Sequence, residues 1–141
     1  MKKNFSLAML MLTVFATANS YAQTIILPNG ATLPNTVEAG QTIVCSNNSN
    51  YILDGKVYVK SGGAIQFGQG TLVKGVKKAT PAEASALVIS RGGTINAQGT
   101  NTNPVIFTSN EASPTGGDWG GIVILGSAPL NRADTSIEGI D

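Results

Sequence analysis

A chain of 141 residues, 42% of them apolar and 12% charged, has room for one domain of ordinary size. It has no histidine and one cysteine, which argues against zinc chemistry and against a Cys–His nucleophile. The formal net charge is +1, too little to attract nucleic acid or anionic lipid as general partners.

The first 22 residues have the layout of a secretory signal peptide. Lys2 and Lys3 supply positive charge, and residues 5–18 are apolar except for Ser6, Thr13 and Thr17. Ser20-Tyr21-Ala22 then offers small residues at the two positions a signal peptidase reads, which predicts cleavage before Gln23. The apolar run falls short of the roughly 20 residues that span a bilayer, and no later segment is longer, so no membrane span is expected after cleavage. A Gln at position 23, where a lipid anchor needs Cys, argues against lipidation. The expected address is secreted or outer-surface. Cleavage removes two of the nine basic residues and leaves seven against eight acids.

Residues 23–40 read as a lead-in, containing the sequence's only hairpin-type Asn-Gly pair, Asn29-Gly30. From residue 41 to 141 the apolar residues come in short bursts separated by Gly, Asn, Ser and Pro. Strands are predicted over 42–45, 56–59, 64–67, 71–73, 86–89, 94–97, 105–108 and 121–125. No helical period persists, and Pro81-Ala82-Glu83-Ala84 can form a turn at most. Cys45 ends the first of these strands, where a buried thiol acts as a small apolar filler. Lys74, Lys77 and Lys78 are the only basic cluster and read as a solvated loop. Gly68-Gln69-Gly70 lacks the lysine and helix of a phosphate cradle, so it reads as a corner.

The most informative feature is an internal echo. Residues 57–66, Val-Tyr-Val-Lys-Ser-Gly-Gly-Ala-Ile-Gln, lie over residues 87–96, Leu-Val-Ile-Ser-Arg-Gly-Gly-Thr-Ile-Asn, at an offset of 30. Gly70-Thr71 and Gly99-Thr100 then follow, with one residue deleted in the second copy. Strand, Gly-Gly turn and strand repeated at a fixed period indicate a solenoid. The fold predicted is all-β: a right-handed parallel β-helix, with a β-sandwich of hairpins as the rival. Because side chains alternate along a strand, Val57, Val59, Ile65, Leu87, Ile89 and Ile95 should face inward and stack. Gln66 and Asn96 should either form an amide ladder or be solvated.

Asn103-Pro104-Val105-Ile106-Phe107-Thr108-Ser109 and Gly117-Asp118-Trp119-Gly120-Gly121-Ile122-Val123-Ile124-Leu125-Gly126 carry a resemblance, and residues 92–100 fit it too. The chain resembles secreted pectin-lyase-like β-helix proteins of Bacteroidota-type bacteria over roughly residues 40–141. The resemblance implies a β-helix and an extracellular address, and transfers no catalytic residues. Proteins of this kind are longer, often with a C-terminal sorting domain. The ending Ser136-Ile137-Glu138-Gly139-Ile140-Asp141 reads as a turn entering another strand, so an incomplete solenoid, the N-terminal part of a larger protein, is expected.

Candidate chemistry is sparse. The acids Glu38, Asp54, Glu83, Glu111, Asp118, Asp134, Glu138 and Asp141 are scattered, without the spacing of a calcium loop, and no metal or cofactor is expected. Arg91 and Arg132 are the only arginines, and Arg91 beside Gly92 reads as a solvated corner. Asp118 and Trp119 are the one ligand-binding candidate, since an aromatic face can stack on a sugar. The competing and expected role for Trp119 is a plug packed on the solenoid. The function expected is a non-catalytic scaffold, adhesin or glycan-contacting module, with polysaccharide or another surface protein as partner. The alternative is the N-terminal part of a polysaccharide-degrading enzyme with its active site beyond residue 141.

Overall fold

The structure, a computed structural model, describes residues 22–128. Residues 1–21 of the signal-like segment and Arg132, Asp134, Glu138 and Asp141 lie outside the described residues. Within the described residues eleven strands wind through four turns of a parallel β-helix. The first turn holds β1 (Gln23–Leu27) and β2 (Thr36–Val37), and the second β3 (Gln41–Cys45), β4 (Asn50–Leu53) and β5 (Lys56–Val59). The third holds β6 (Ala64–Phe67), β7 (Leu72–Gly75) and β8 (Ala86–Ile89), and the fourth β9 (Thr94–Ala97), β10 (Ile106–Ser109) and β11 (Gly121–Ile124). They stack into a first sheet, β1-β3-β6-β9, a second, β4-β7-β10, and a third, β2-β5-β8-β11. Every strand pairing is parallel, which rules out the hairpins of a β-sandwich.

The offset of 30 survives as register: Val57 pairs with Leu87, and Ile65 with Ile95. The second half of the echo does not. Leu72 pairs with Ile106, an offset of 34, so Gly99-Thr100 falls in an inserted loop and Asn103, not Gly99, accepts the Gly70 amide at 3.1 Å. The coil also includes residues 23–40, because β1 and β2 pair with β3 and β5. The expected lead-in is itself a turn.

Alternation along each strand sends one set of side chains inward. Val57, Val59, Ile65 and Leu87 are fully buried, and Ile89 is 2% exposed. Ile95, one turn higher, is half-buried against the same cluster. Cys45 sits in register between Leu27 and Phe67, and burial pushes its thiol up to about 12. A thiol so protonated is a poor nucleophile at neutral pH, consistent with core filler.

The Gly-Gly corner joins the third sheet to the first. Gly62 has φ of 77° and Gly92 of 79°, and the amides of Gly63 and Gly93 return to Lys60 O and Ser90 O at 2.9 and 2.8 Å. A positive φ at the third position of a four-residue turn is what glycine supplies. The second glycine is needed for a different reason. A Cβ on Gly63 would lie 2.7 Å from Val37 O, and one on Gly93 2.5 Å from Val59 O, both in the turn below.

Tyr51 is buried although it carries a hydroxyl. Its Oη accepts the Ser46 amide at 2.8 Å and donates to Leu27 O at 3.2 Å, tying the corner after β3 to the turn below. Tyr51→Phe removes the partner of both groups and should cost about 1–3 kcal/mol in urea unfolding. An unchanged midpoint would show that water replaces the hydroxyl.

Candidate functional site

Long connections gather where the second sheet meets the third. In the second turn this corner is the two residues Asp54 and Gly55, whereas it runs over 76–85 in the third and 110–120 in the fourth. Ser85 stitches the lower loop to the corner beneath: its Oγ accepts the Gly55 amide at 2.9 Å and donates to Val76 O at 2.6 Å. The upper loop lies over the lower, and the Gly120 amide donates to Ser85 O at 2.7 Å.

Asp118 is 4% exposed. Its carboxylate accepts the Thr115 amide at 2.8 Å and the Thr115 hydroxyl at 3.0 Å, and faces Lys77 Nζ of the lower loop at 3.0 Å. The Thr115 amide first and the Lys77 ammonium next hold its carboxyl well below the usual range. Burial opposes them, and the Ser109 and Thr115 hydroxyls assist. A carboxylate so saturated holds no proton near neutral pH, so it is poorly suited to general acid work. Structurally it is a clip between two loops. A depressed carboxyl contributes stability above its unfolded value of about 3.9, and that contribution is lost as pH falls toward the folded value. Asp118→Asn should therefore flatten the fall of thermal stability below about pH 4 relative to the parent. Parallel acid profiles for the two proteins would refute the clip.

Trp119 follows directly. Its half-buried ring packs on the core, and a Cβ placed on Gly75 would lie 2.7 Å from Trp119 Cγ and Cδ2. The missing side chain at Gly75, an inward position of β7, makes the space that the indole uses. Asp118 and Trp119 are thus adjacent in space as in sequence, one holding the loop and the other packing it.

Other charges at this corner and elsewhere are also paired. Lys78 pairs with Asp54 and Lys60 with Glu38 at 2.6 Å, while Thr80 Oγ1 donates to Glu83 at 3.0 Å. Two of the three clustered lysines, Lys77 and Lys78, are therefore in ion pairs, not simply solvated as a loop reading implied. Arg91 is exposed and donates from Nε to Gly126 O at 3.1 Å. Among the described residues no three His, Cys, Asp or Glu side chains come together as a metal site.

A second feature lies on the outer face of the first sheet. Val44, Gln66 and Asn96 follow one another in register outward from β3, β6 and β9. With Asn47, Gln69 and Gln98 from the adjoining corners they line a groove of about 300 Å³. The inserted loop begins at this groove and is fastened by Asn103, whose Nδ2 donates to Asn48 Oδ1 at 2.9 Å across Gly70. The amide pairing expected of Gln66 and Asn96 is thus made one corner away. Among the described residues no side-chain hydrogen bond engages Gln66 or Asn96, and both are exposed. The sequence signal for the groove was the outward alternation at 44, 66 and 96, visible only once the turn lengths are known.

In comparison with known proteins, the sequence model of the pectate-lyase like beta helix domain family aligns with residues 35–140. No curated protein and no solved structure matches the chain.

Proposed function

The chain belongs to the pectate-lyase-like β-helix domain family, and on that footing we propose that it is an exported, non-catalytic scaffold displayed on or beyond the outer cell surface. One observation carries this reading. The candidate pair Asp118 and Trp119 is turned to structural use, the carboxylate bound by Lys77 and Thr115 and the indole seated over Gly75. A carbohydrate-cleaving site needs carboxylates or bases free to exchange protons with substrate. Two ion pairs, Lys77–Asp118 and Lys78–Asp54, stack at the corner between the second and third sheets, where each carboxylate is already engaged by a lysine, and the third, Lys60–Glu38, lies at the Gly-Gly corner. The signal-like residues 1–22 support export, and the resemblance to secreted Bacteroidota-type proteins supports the surface address.

Two measurements test it. N-terminal sequencing of protein recovered outside the cytoplasm should start at or near Gln23; an intact Met1 in a membrane fraction would overturn export. Incubation with polygalacturonate, with and without calcium, and with a panel of neutral polysaccharides should release no new chain ends. Cleavage abolished by Asp118→Asn would replace the scaffold with an enzyme.

A further inference from the structure

We propose that the lower end of the solenoid is a docking surface for a second copy of the chain, the two β1 strands pairing antiparallel across a two-fold axis at Ile25. β1 is the outermost strand of the first sheet, and among the described residues nothing pairs with its other edge. In a parallel ladder the amide and carbonyl of one residue point to the same side, alternating along the strand. Gln23 donates its amide to Gly40 O at 2.8 Å, so Gln23, Ile25 and Leu27 face β3. Thr24 and Ile26 therefore turn their amides and carbonyls to the open edge. Ile26 also presents an apolar side chain that is 67% exposed.

Open edges are normally blunted by shortness, charge or proline. The other two lower edges are blunted in this way: β2 has two residues, and the second sheet starts as the single bridge Thr32–Ile52, bracketed by Pro28 and Pro34. β1 has five residues and none of these devices. The whole first turn, 23–40, carries one charge, Glu38, and that is paired with Lys60. Beside the edge the core itself ends, with Ile25, Leu27 and Ala31 only half-buried. Edge and core end together select the occupant. An extended peptide could pair with Thr24 and Ile26 but would leave the core end uncovered. A second copy covers both, because the two-fold sets Ile25 on the partner's Ile25 and brings the two core ends face to face. Thr24 then lies opposite the partner's Ile26, a pair that exchanges both main-chain hydrogen bonds, and no like charges meet. Such a contact closes at two copies and does not grow into a filament. The inference goes beyond the scaffold reading but rests on its export step: cleavage before Gln23 makes β1 the start of the chain and leaves nothing ahead of it to fold over the edge.

The test uses the exported protein, its first residue sequenced, in sedimentation velocity over a concentration series. An interface of one strand and one core end is small, so the mass should double as concentration rises through the micromolar range. Ile26→Pro removes only an amide that β3 does not use, and proline is tolerated on edge strands. That variant and Ile26→Lys should each raise the dissociation constant about tenfold or more. Both should keep the parent's unfolding midpoint at concentrations where the parent is monomeric. Ile106→Lys, at a residue 47% exposed on the second sheet, should dimerise as the parent does. Cross-linking reads the register. Ile25→Cys should give a disulfide-linked dimer on air oxidation and Thr24→Cys should not. The pair on the two-fold has Cα atoms about 4.5 Å apart, within disulfide reach, whereas the diagonal pair at Thr24 is about 7–8 Å apart. A sample starting at Gln23 that stays monomeric up to about 1 mM overturns the dimer and leaves export standing. Growth past two copies, a dimer unaffected by both Ile26 variants, loss through Ile106→Lys, or no cross-link at Ile25→Cys would each overturn it too. A sample starting at Met1 overturns export and this interface with it.

Discussion

Ile65→Asp should abolish cooperative folding, whereas Lys60→Asp should leave the unfolding midpoint nearly where it was. Ile65 is fully buried and stands in register between Ile43 below and Ile95 above. Losing its burial costs about 1.5–3 kcal/mol. A carboxylate in its place must either remain ionised without a partner or take up a proton, and an unpaired buried charge adds about 3–5 kcal/mol more. The sum approaches the whole stability of a typical domain, about 5–15 kcal/mol. In a solenoid the damage also spreads, because each turn is held mainly by its two neighbours. Lys60 lies five residues earlier, and its side chain is 50% exposed. Its pair with Glu38, itself 51% exposed, is a surface contact worth about 0–1 kcal/mol, and reversal replaces it with mild repulsion. Urea unfolding followed by circular dichroism reads both variants. Equal tolerance would place Ile65 at the surface and shift the register of β6 by one residue.

The offset of 30 was legible in the sequence because two equal corners, each Gly-Gly, frame the same length of chain. Val57 through Gln66 and Leu87 through Asn96 contain no insertion relative to one another, so side chains that stack also align. A shorter echo was hidden in the same corner. Val37 pairs with Val59 and Thr42 with Ala64, an offset of 22, and Gly40 has a φ of 79° like Gly62 and Gly92. It escaped notice because Gln41 stands where the later copies carry their second glycine. The Gln41 side chain instead serves the corner itself, its Oε1 accepting the Glu38 amide at 2.9 Å. The strand Asn50–Leu53 was missed for another reason: its polar neighbours Asn47, Asn48 and Ser49 read as loop, although Asn48 turns the corner with a φ of 52°. The insertions could not be placed from composition. A loop of ten or eleven residues leaves the strands on either side unchanged, so only pairing shows that Gly99-Thr100 is insertion and that 76–85 and 110–120 share one corner. Asp118 and Trp119 stood out by residue type. What they do depends on Gly75 and Lys77, more than 40 residues earlier, and no local pattern reveals that contact.

That contact makes a thermodynamic cycle the most informative test of the corner. Trp119→Ala should destabilise the protein by about 3 kcal/mol, the low end for a large aromatic because the ring is only half-buried. Gly75→Ala adds one methyl group. Gly75 does not have a positive φ, so alanine fits its backbone, and without a neighbour the change would be neutral or slightly stabilising. With Trp119 in place the new Cβ meets Cγ and Cδ2 at 2.7 Å and Trp119 Cβ at 2.9 Å. Those atoms form the root of the side chain, so relief requires moving the backbone of the loop that Asp118 clips, and overpacking of this kind costs about 1–3 kcal/mol. In the double variant the methyl group occupies part of the space the indole left, so the two penalties should fall short of additivity by about 1–3 kcal/mol. Urea unfolding of the four proteins gives that difference directly. The opposite arrangement, an indole swung outward to stack on a sugar, predicts a harmless Gly75→Ala, additive effects and a Trp119→Ala variant that loses glycan affinity at unchanged stability. Non-additivity of the expected size ties the ring to the core and is incompatible with an indole held outward to stack on a sugar.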